Sequence, residues 1–275
     1  MSNSPNYFQS RPCTYNELIS PAFLRWTSEI HESSQDIRRK IWEFDFILDT
    51  LFHAGMLSSG KKGLGFAVGQ EPLPALFCKY GCEILATDLD STSAAEKGWV
   101  ESNQHSESKA TLYNPGICDQ KIFEEKCTFR AVDMTNIPND LTEYDFIWSS
   151  CALEHLGSIR NGKQFIYDSL ECLKPGGVAV HTTEYNVTSN LITIDTFQRW
   201  NSCIFRRKDL EDVASHLTRL GYTISLNFKL GTTPMDRFVD TPPYRMNPHL
   251  RLRIGSRFNP LVATSYGLII QKTEE

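Results

Sequence analysis

Five short apolar runs of this chain each end in residues able to hold a ligand or move a charge. The first, Lys62-Gly-Leu-Gly-Phe, opens into Gly63-Leu-Gly-Phe-Ala-Val-Gly69 and then a helical stretch beginning near Glu71-Pro72. Small residues let a ligand approach the backbone, and a helix start offers free N–H groups to a carboxylate or phosphate. The same composition also suits a plain tight connection. The second run, Glu83-Ile-Leu-Ala-Thr, ends at Asp88, 19 residues beyond Gly69. An acid at that distance is placed to accept hydrogen bonds from both ribose hydroxyls of an adenosine, or else to cap the next helix. The third run, Phe129-Arg-Ala-Val, ends at Asp133-Met134, an acid for an adenine amino group beside a side chain that can cover the ring. The fourth, Tyr144-Asp-Phe-Ile-Trp, leads into Ser149-Ser-Cys-Ala-Leu-Glu-His155, and the fifth, Val178-Ala-Val-His-Thr-Thr, into Glu184-Tyr185-Asn186.

In open α/β sheets ligands bind beyond the carboxyl ends of the strands. Any one of these endings is ambiguous, but several in register point to a nucleoside-bearing cofactor.

Together, Gly65-x-x-x-Gly69, Asp88, Asp133-Met134, Leu153-Glu-His155 and Leu173-Lys-Pro-Gly-Gly177 resemble the motifs of class I S-adenosylmethionine (SAM)-dependent methyltransferases. The likeness is to the small-molecule group with LEH after the fourth strand and LKPGG before the fifth, including enzymes linked to glycan modification. It covers residues 60–230, extended by a final strand pair to 271. The resemblance implies that Gly65 and Gly69 pass under the methionyl and ribose portion, and that Asp88 holds the ribose diol. Leu89 then flanks the adenine, Asp133 and Met134 bound its far end, and Ser149 and Ser150 line the path to the sulfonium. The departures are Gly63, where the family carries an acid, and Ala67, where it carries a second glycine. Glu71 is the substitute acid for the methionyl ammonium, and Ala67 fits if its φ is negative. NAD(P) is the competing cofactor, but Gly63-x-Gly65-x-x-Val68 lacks the third glycine of a dinucleotide fingerprint.

Methyl transfer from a sulfonium is an in-line displacement that needs alignment above all, and positioning supplies at best about 7–11 kcal/mol. A hydroxyl acceptor also needs a base. His155 is the first candidate because an imidazole titrates near neutrality, and Glu184 is the second. Glu154 and Tyr185 stand beside them as substrate-binding candidates, and Tyr244 and Arg245 join them from the rigid segment Pro242-Pro-Tyr-Arg-Met-Asn-Pro-His249. The Trp99–Gln104 stretch and the N-terminal helices complete the expected acceptor pocket. No metal is expected, since Asp236, Asp240 and His249 are too loosely spaced for a ligand set.

These residues need a frame. Strands of four to six residues alternate with helical stretches, which means βαβ units and a parallel sheet with helices on both faces. The helical stretches carry Leu73, Leu76 and Phe77, then Ser93 to Ser102, Gly162 to Leu173 and Lys208 to Leu220. Lys174-Pro-Gly-Gly177 closes the third, and Gly221 closes the fourth. Thr223–Lys229 and Val262–Gln271 are two further strands, giving an α/β, doubly wound, seven-stranded Rossmann-like sheet, mostly parallel with a last antiparallel strand. Residues 1–20 read as an extended arm. Pro21 to Leu57 reads as helical, with an apolar stripe Ile37, Ile41, Phe44, Leu48, Leu51, an N-cap at Ser33 or Ser34, and Asp36 in the first turn. The expected organisation is therefore an arm and helices at 1–58 packing on a catalytic domain at 59–275, with 231–260 as an insertion over the substrate site.

Composition bounds the rest. The 275 residues are 40% hydrophobic and 22% charged, ordinary globular usage that excludes fibrous and disordered classes. No apolar run approaches the ~18–20 residues of a membrane span, no signal peptide is visible, and a cytoplasmic protein is expected. Eight scattered cysteines without a CxxC pair read as free thiols of a reducing compartment, which empties the Asn186-Val-Thr glycosylation motif of meaning. The net charge of −5 argues against a chain-wide nucleic-acid footprint. It is uneven: residues 199–257 hold 11 Lys and Arg against five acids, a net +6 that leaves −11 elsewhere. The basic portion includes Arg245, Arg251 and Arg253 and favours an acceptor bearing phosphate or carboxylate. The expected activity is O-methylation of a small hydroxylated acceptor such as a sugar or nucleotide-sugar, with S-adenosylhomocysteine (SAH) as product. N- or C-methylation of another metabolite, a protein- or RNA-modifying factor, and a SAM-binding module without turnover are the alternatives. Oligomeric state is not readable.

Overall fold

The computed structural model describes residues 8–90, 106–196, 202–255 and 260–274. The expected helix at 93–102 and the Trp99–Gln104 stretch lie outside them.

Five strands form the parallel half of one sheet: β2 (Lys62–Gly65), β3 (Glu83–Asp88), β4 (Cys127–Ala131), β5 (Tyr144–Ser150) and β6 (Leu173–Asn186). Their spatial order is β4-β3-β2-β5-β6, and β6 then pairs antiparallel with β9 (Pro260–Gln271) from Val178↔Gln271 to Asn186↔Ala263. Alternation along β5 and β6 divides the side chains between two layers. Phe146, Trp148, Val178 and Val180 face one apolar cluster, while Ile147, Ala179, Tyr185 and Leu268 face the other. Helices cover both faces: α3 (Arg39–His53) and α4 (Leu73–Lys79) supply the first layer, α6 (Ile159–Ser169) and α7 (Arg207–Arg219) the second. The sheet is the α/β, mostly parallel frame expected from the sequence.

Its far side differs. Among the described residues Thr223–Lys229 is not a strand; its backbone pairs through the isolated bridges Thr223↔Gln271 and Ser10↔Leu226. The outer edge of β9 is instead shared. β8 (Arg251–Gly255) pairs with Leu261 to Ala263 and their neighbour Pro260, and β1 (Arg11–Pro12) pairs with Tyr266 and Gly267. β7 (Val239–Asp240) lies parallel to β8. Nine strands thus stand in the sheet among the described residues, and the Pro- and Arg-rich insertion extends it.

Two boundary expectations are also corrected. The 21–57 stretch breaks into α2 (Pro21–Glu29) and α3, separated by a turn in which His31 takes φ 60°, so Ile37 precedes the helix and Arg38, not Ser33 or Ser34, occupies the N-cap. Lys174-Pro-Gly-Gly177 lies inside β6 as an irregularity between Leu173 and Val178, because α6 has already ended at Ser169 and a 3₁₀ turn (Leu170–Cys172) follows it. α3 buries nearly its whole length against β9: a Cβ added to Gly267 would sit 2.2 Å from the Phe46 ring, so helix and strand meet at backbone distance. Among the described residues no helix is long and apolar enough to cross a membrane.

Candidate active site

The carboxyl ends of β2, β3, β5 and β6 meet at one edge of the sheet, and the sequence-predicted residues cluster there by construction. At the end of β2, a Cβ on Gly65 would lie 2.3 Å from Trp148 and one on Gly63 would lie 2.4 Å from Phe146. Those rings occupy the space an acid at position 63 would need, which accounts for that departure from the family pattern. Glu71, the expected substitute acid, is buried just beyond this loop. Its Oε1 accepts the Trp148 indole N–H at 2.5 Å, and burial pushes the carboxyl up to about 8, against the pull of that bond and of Lys40. Ala67 takes φ 48°, contrary to the expected negative value, so the loop holds an L-residue in the left-handed region at a cost of order 1 kcal/mol. Gly69 shares that region at φ 51°.

Asp88 ends β3 and ties the loop down. Its Oδ2 accepts the N–H of Gly69 at 3.1 Å and of Ser106 at 3.0 Å, and its Oδ1 accepts the Leu89 N–H at 2.8 Å. The residue therefore organises the backbone around the expected ribose position from beneath. Leu89 is half-buried beside it. Asp133 is exposed and accepts from the N–H and hydroxyl of Thr135, while Met134 turns into the core with Leu64 and Phe66. The side chains of that pair are thus not both directed to one ring.

A charged cluster at the same edge escaped the sequence reading. α3 begins over the ends of β5 and β6 and extends Arg39, Lys40 and Glu43 onto them. Arg39 donates to Glu184 Oε1 at 2.5 Å, to Ser265 Oγ at 3.2 Å and to Glu43 Oε1 at 3.3 Å. Lys40 Nζ donates to Ser150 Oγ at 2.9 Å and to the Ser150 carbonyl at 3.1 Å, and pairs with Glu43 Oε2 at 3.1 Å. Burial alone would raise Glu43, but Lys40, Arg39 and the Ser265 hydroxyl hold it below the ordinary carboxylate range. Burial raises the Cys151 thiol, which sits 3.6 Å from Arg39 with φ 51°. The signal was available: charges at i, i+1 and i+4 at the start of a largely apolar helix.

The remaining candidates divide. His155 ends a 3₁₀ turn (Leu153–His155), and its Nδ1 is 3.3 Å from the Ser202 hydroxyl. Glu184 lies at the edge but carries the Arg39 guanidinium. Glu154 is 1% exposed, accepts the Thr183 hydroxyl at 3.1 Å and is raised by burial, so it faces the interior and not a substrate. Tyr185 is likewise a core residue, its ring centroid 5.3 Å from Tyr266 and 5.9 Å from Phe228. Ser150 faces Lys40, whereas Ser149 turns to the opposite layer and shares a 2.9 Å hydrogen bond with His181 Nδ1, a ring that burial keeps neutral with its pKa lowered to about 3. Tyr244 donates to the Arg253 carbonyl at 2.7 Å, and Arg245 is exposed beside it. Arg251 is committed to the Gly231 carbonyl at 2.9 Å.

No protein-family model and no curated protein matches the chain. Solved structures do. A Galdieria sulphuraria protein assigned as a sarcosine dimethylglycine methyltransferase is 16% identical, with a TM-score of 0.50 over 93% of this chain and 99% of that one. A SAM-dependent methyltransferase from Methanosarcina mazei is 14% identical, with a TM-score of 0.50 over 82% of this chain and 98% of that one. The chain has a SAM-dependent methyltransferase fold. At such identities the likeness carries the architecture alone.

Proposed function

We propose that the chain is a SAM-dependent methyltransferase acting on a hydroxyl of a small anionic acceptor, such as a sugar phosphate or nucleotide-sugar. The observation that carries this reading is the pairing at one strand edge of Glu71, a buried carboxyl raised to about 8, with Lys40 on Ser150. A carboxyl so raised stands where a cation would restore its charge, and an ammonium nearby offers the complement. That is the electrostatic print of an amino acid's zwitterion. Glu71 would hold the methionyl ammonium, Lys40 the carboxylate, and Asp88, through Oδ1, the ribose hydroxyls. When bound, SAM supplies an electrophilic methyl group.

The chain's own residues supply position. Arg39 fixes Glu184 at the sheet edge, where its second carboxylate oxygen is available to acceptor hydroxyls. The exposed guanidinium of Arg245, with Arg253 two strand positions into β8, gives the insertion a positive face suited to phosphate. The eight free thiols, seven of them buried, suit a reducing compartment such as the cytoplasm. Calorimetry with SAM and SAH tests the cofactor: binding of both is expected, and binding of neither removes the proposal. Turnover of methyl-labelled SAM against sugar phosphates, nucleotide-sugars and amines then decides the acceptor class.

A further inference from the structure

Asp240 and His249 form a histidine–carboxylate pair inside the insertion. Asp240 is fully buried; its Oδ2 accepts the His249 Nδ1–H at 2.7 Å and the Met246 N–H at 3.3 Å, while Oδ1 has no partner. A carboxylate on Nδ1 fixes the tautomer and leaves Nε2 as the atom that exchanges a proton. The His249 side chain is 23% exposed.

The register carries this ring to the strand edge already described. Leu252 of β8 pairs with Ala263, which pairs with Asn186 of β6, and Thr264 Oγ1 donates to the Leu250 carbonyl. Leu250 is therefore level with Glu184 and two strands across, about 10 Å at ordinary strand spacing, and His249 is the residue before it. Its backbone is bound twice to the start of α3: His249 N–H donates to the Ile37 carbonyl at 2.7 Å, and Arg39 N–H donates to the His249 carbonyl at 3.1 Å. Arg39 thus links His249 through its backbone and Glu184 through its guanidinium. Tyr244 packs edge-on against the ring at 6.2 Å. The charged residues placed against it are Arg38, the N-cap of α3, Arg39 at its first turn and Asp240 of β7.

We infer that His249 receives the proton of the acceptor hydroxyl, with Asp240 as the residue that positions its ring. This rests on the methyl-transfer reading of the site. The acceptor oxygen's lone pair forms the new O–C bond as the C–S pair returns to sulfur, and the hydroxyl proton passes to Nε2 and later to solvent. His155, turned to Ser202, and Glu184, held by Arg39, lack this orientation.

The test compares wild type with His249→Gln, Asp240→Asn and His155→Gln. SAH affinity is read by calorimetry, and SAH formation from SAM is followed with UDP-glucose, glucose 6-phosphate and glycerol, against water alone. Nitrogen NMR reports which nitrogen of the His249 ring carries the proton. Equal SAH affinity is expected in all four proteins, with SAH formation lowered about 10²–10⁴-fold in His249→Gln. Asp240→Asn should lose at least about tenfold and His155→Gln at most about threefold, relative to that same range. The wild-type ring should carry its proton on Nδ1 and lose that preference in Asp240→Asn. Wild-type rates in His249→Gln overturn the inference, as does a wild-type ring protonated on Nε2 alone. So does a wild type that binds SAH but forms none above the enzyme-free rate. Failure to bind SAH at all removes the methyltransferase reading instead, and leaves the NMR result to decide the pair.

Discussion

The Trp148 indole N–H donates to Glu71 Oε1 across 77 positions of sequence, at 2.5 Å. With the carboxyl raised to about 8, Glu71 holds its proton below that pH and must release it to accept a cation. SAM affinity should therefore rise as pH increases from 6 toward 8, with up to one proton released per molecule bound. Calorimetry in buffers of different ionisation enthalpy reads that proton directly. Glu71→Gln should abolish the release and weaken binding about 10–100-fold, the value of a hydrogen bond to a charged group. An unchanged proton count in the variant would detach Glu71 from the cofactor.

Asp88→Ala removes the acceptor of three backbone N–H groups. SAH affinity should fall at least about tenfold, since the amides of Gly69 and Ser106 lose their common anchor. Asp88→Asn keeps one acceptor oxygen and should fall between the two. Affinity that survives both substitutions contradicts the ribose assignment.

Arg39→Ala would leave the largely buried Glu184 without its guanidinium and take from Glu43 one of its two cationic partners, Lys40 being the other. Removal of one partner from a buried charge network costs about 3–5 kcal/mol, so a clear drop in Tm is expected. Arg39→Lys should recover only part of it, because one ammonium cannot span Glu184, Glu43 and Ser265 as the planar guanidinium does. Equal melting of the alanine and lysine variants would refute this account of the cluster.

Asp45 lies between α2 and α3 with its Oδ2 on the Thr27 hydroxyl at 2.6 Å and its Oδ1 unpartnered, and burial raises it to about 8. Between pH 4 and 8 the folded chain holds a proton there that the unfolded chain has released, so the native state binds more protons and stability falls with rising pH. Above about 8 both states are ionised and this contribution levels off. Asp45→Asn should flatten that slope and raise stability at pH 8 by about 1–3 kcal/mol. Urea unfolding at pH 5 and pH 8 measures the difference, and a wild-type chain equally stable at both would contradict it.

Arg245→Ala combined with Arg253→Ala should raise KM for a phosphorylated acceptor and leave SAH affinity unchanged. Arg251 is left out because its guanidinium serves the Gly231 carbonyl. A neutral acceptor should be indifferent to the double substitution, and an unaltered KM for the phosphorylated one would remove the anionic-acceptor proposal.

The parallel half of the sheet was legible because local pattern decides it: apolar runs of fixed length, each stopped by Gly65, Asp88, Asp133 or Ser149. What the pattern cannot carry is a contact made across the chain. Arg39 meets Glu184 and Ser265 at separations of 145 and 226 residues, and Lys40 meets Ser150 at 110. Glu43, Asp45 and Asp49 interrupt the apolar stripe of α3, yet all three are buried, which only their partners elsewhere in the chain explain. Thr223–Lys229 alternates like a strand but has little edge to pair with, because Arg11-Pro12 and β8 already hold β9. Pro242, Pro243 and Pro248 made the insertion read as loop, and its strands β7 and β8 are only two and five residues long.

β9 comes last in the chain yet lies inside the sheet, with β6 on one flank and β1 and β8 on the other. Ser10 and Ile269, 259 positions apart, are joined by the N–H of Ile269 donating to the Ser10 hydroxyl at 2.9 Å. Loop closure of that span must precede the contacts that reward it, which places this fold among slow, high-contact-order topologies. On the ribosome, β6 keeps an open flank, and the segment around Ser10 waits unpaired until β9 emerges. The charged cluster at this edge therefore waits for β9: Arg39 and Glu43 find Ser265 only after that strand has slotted in.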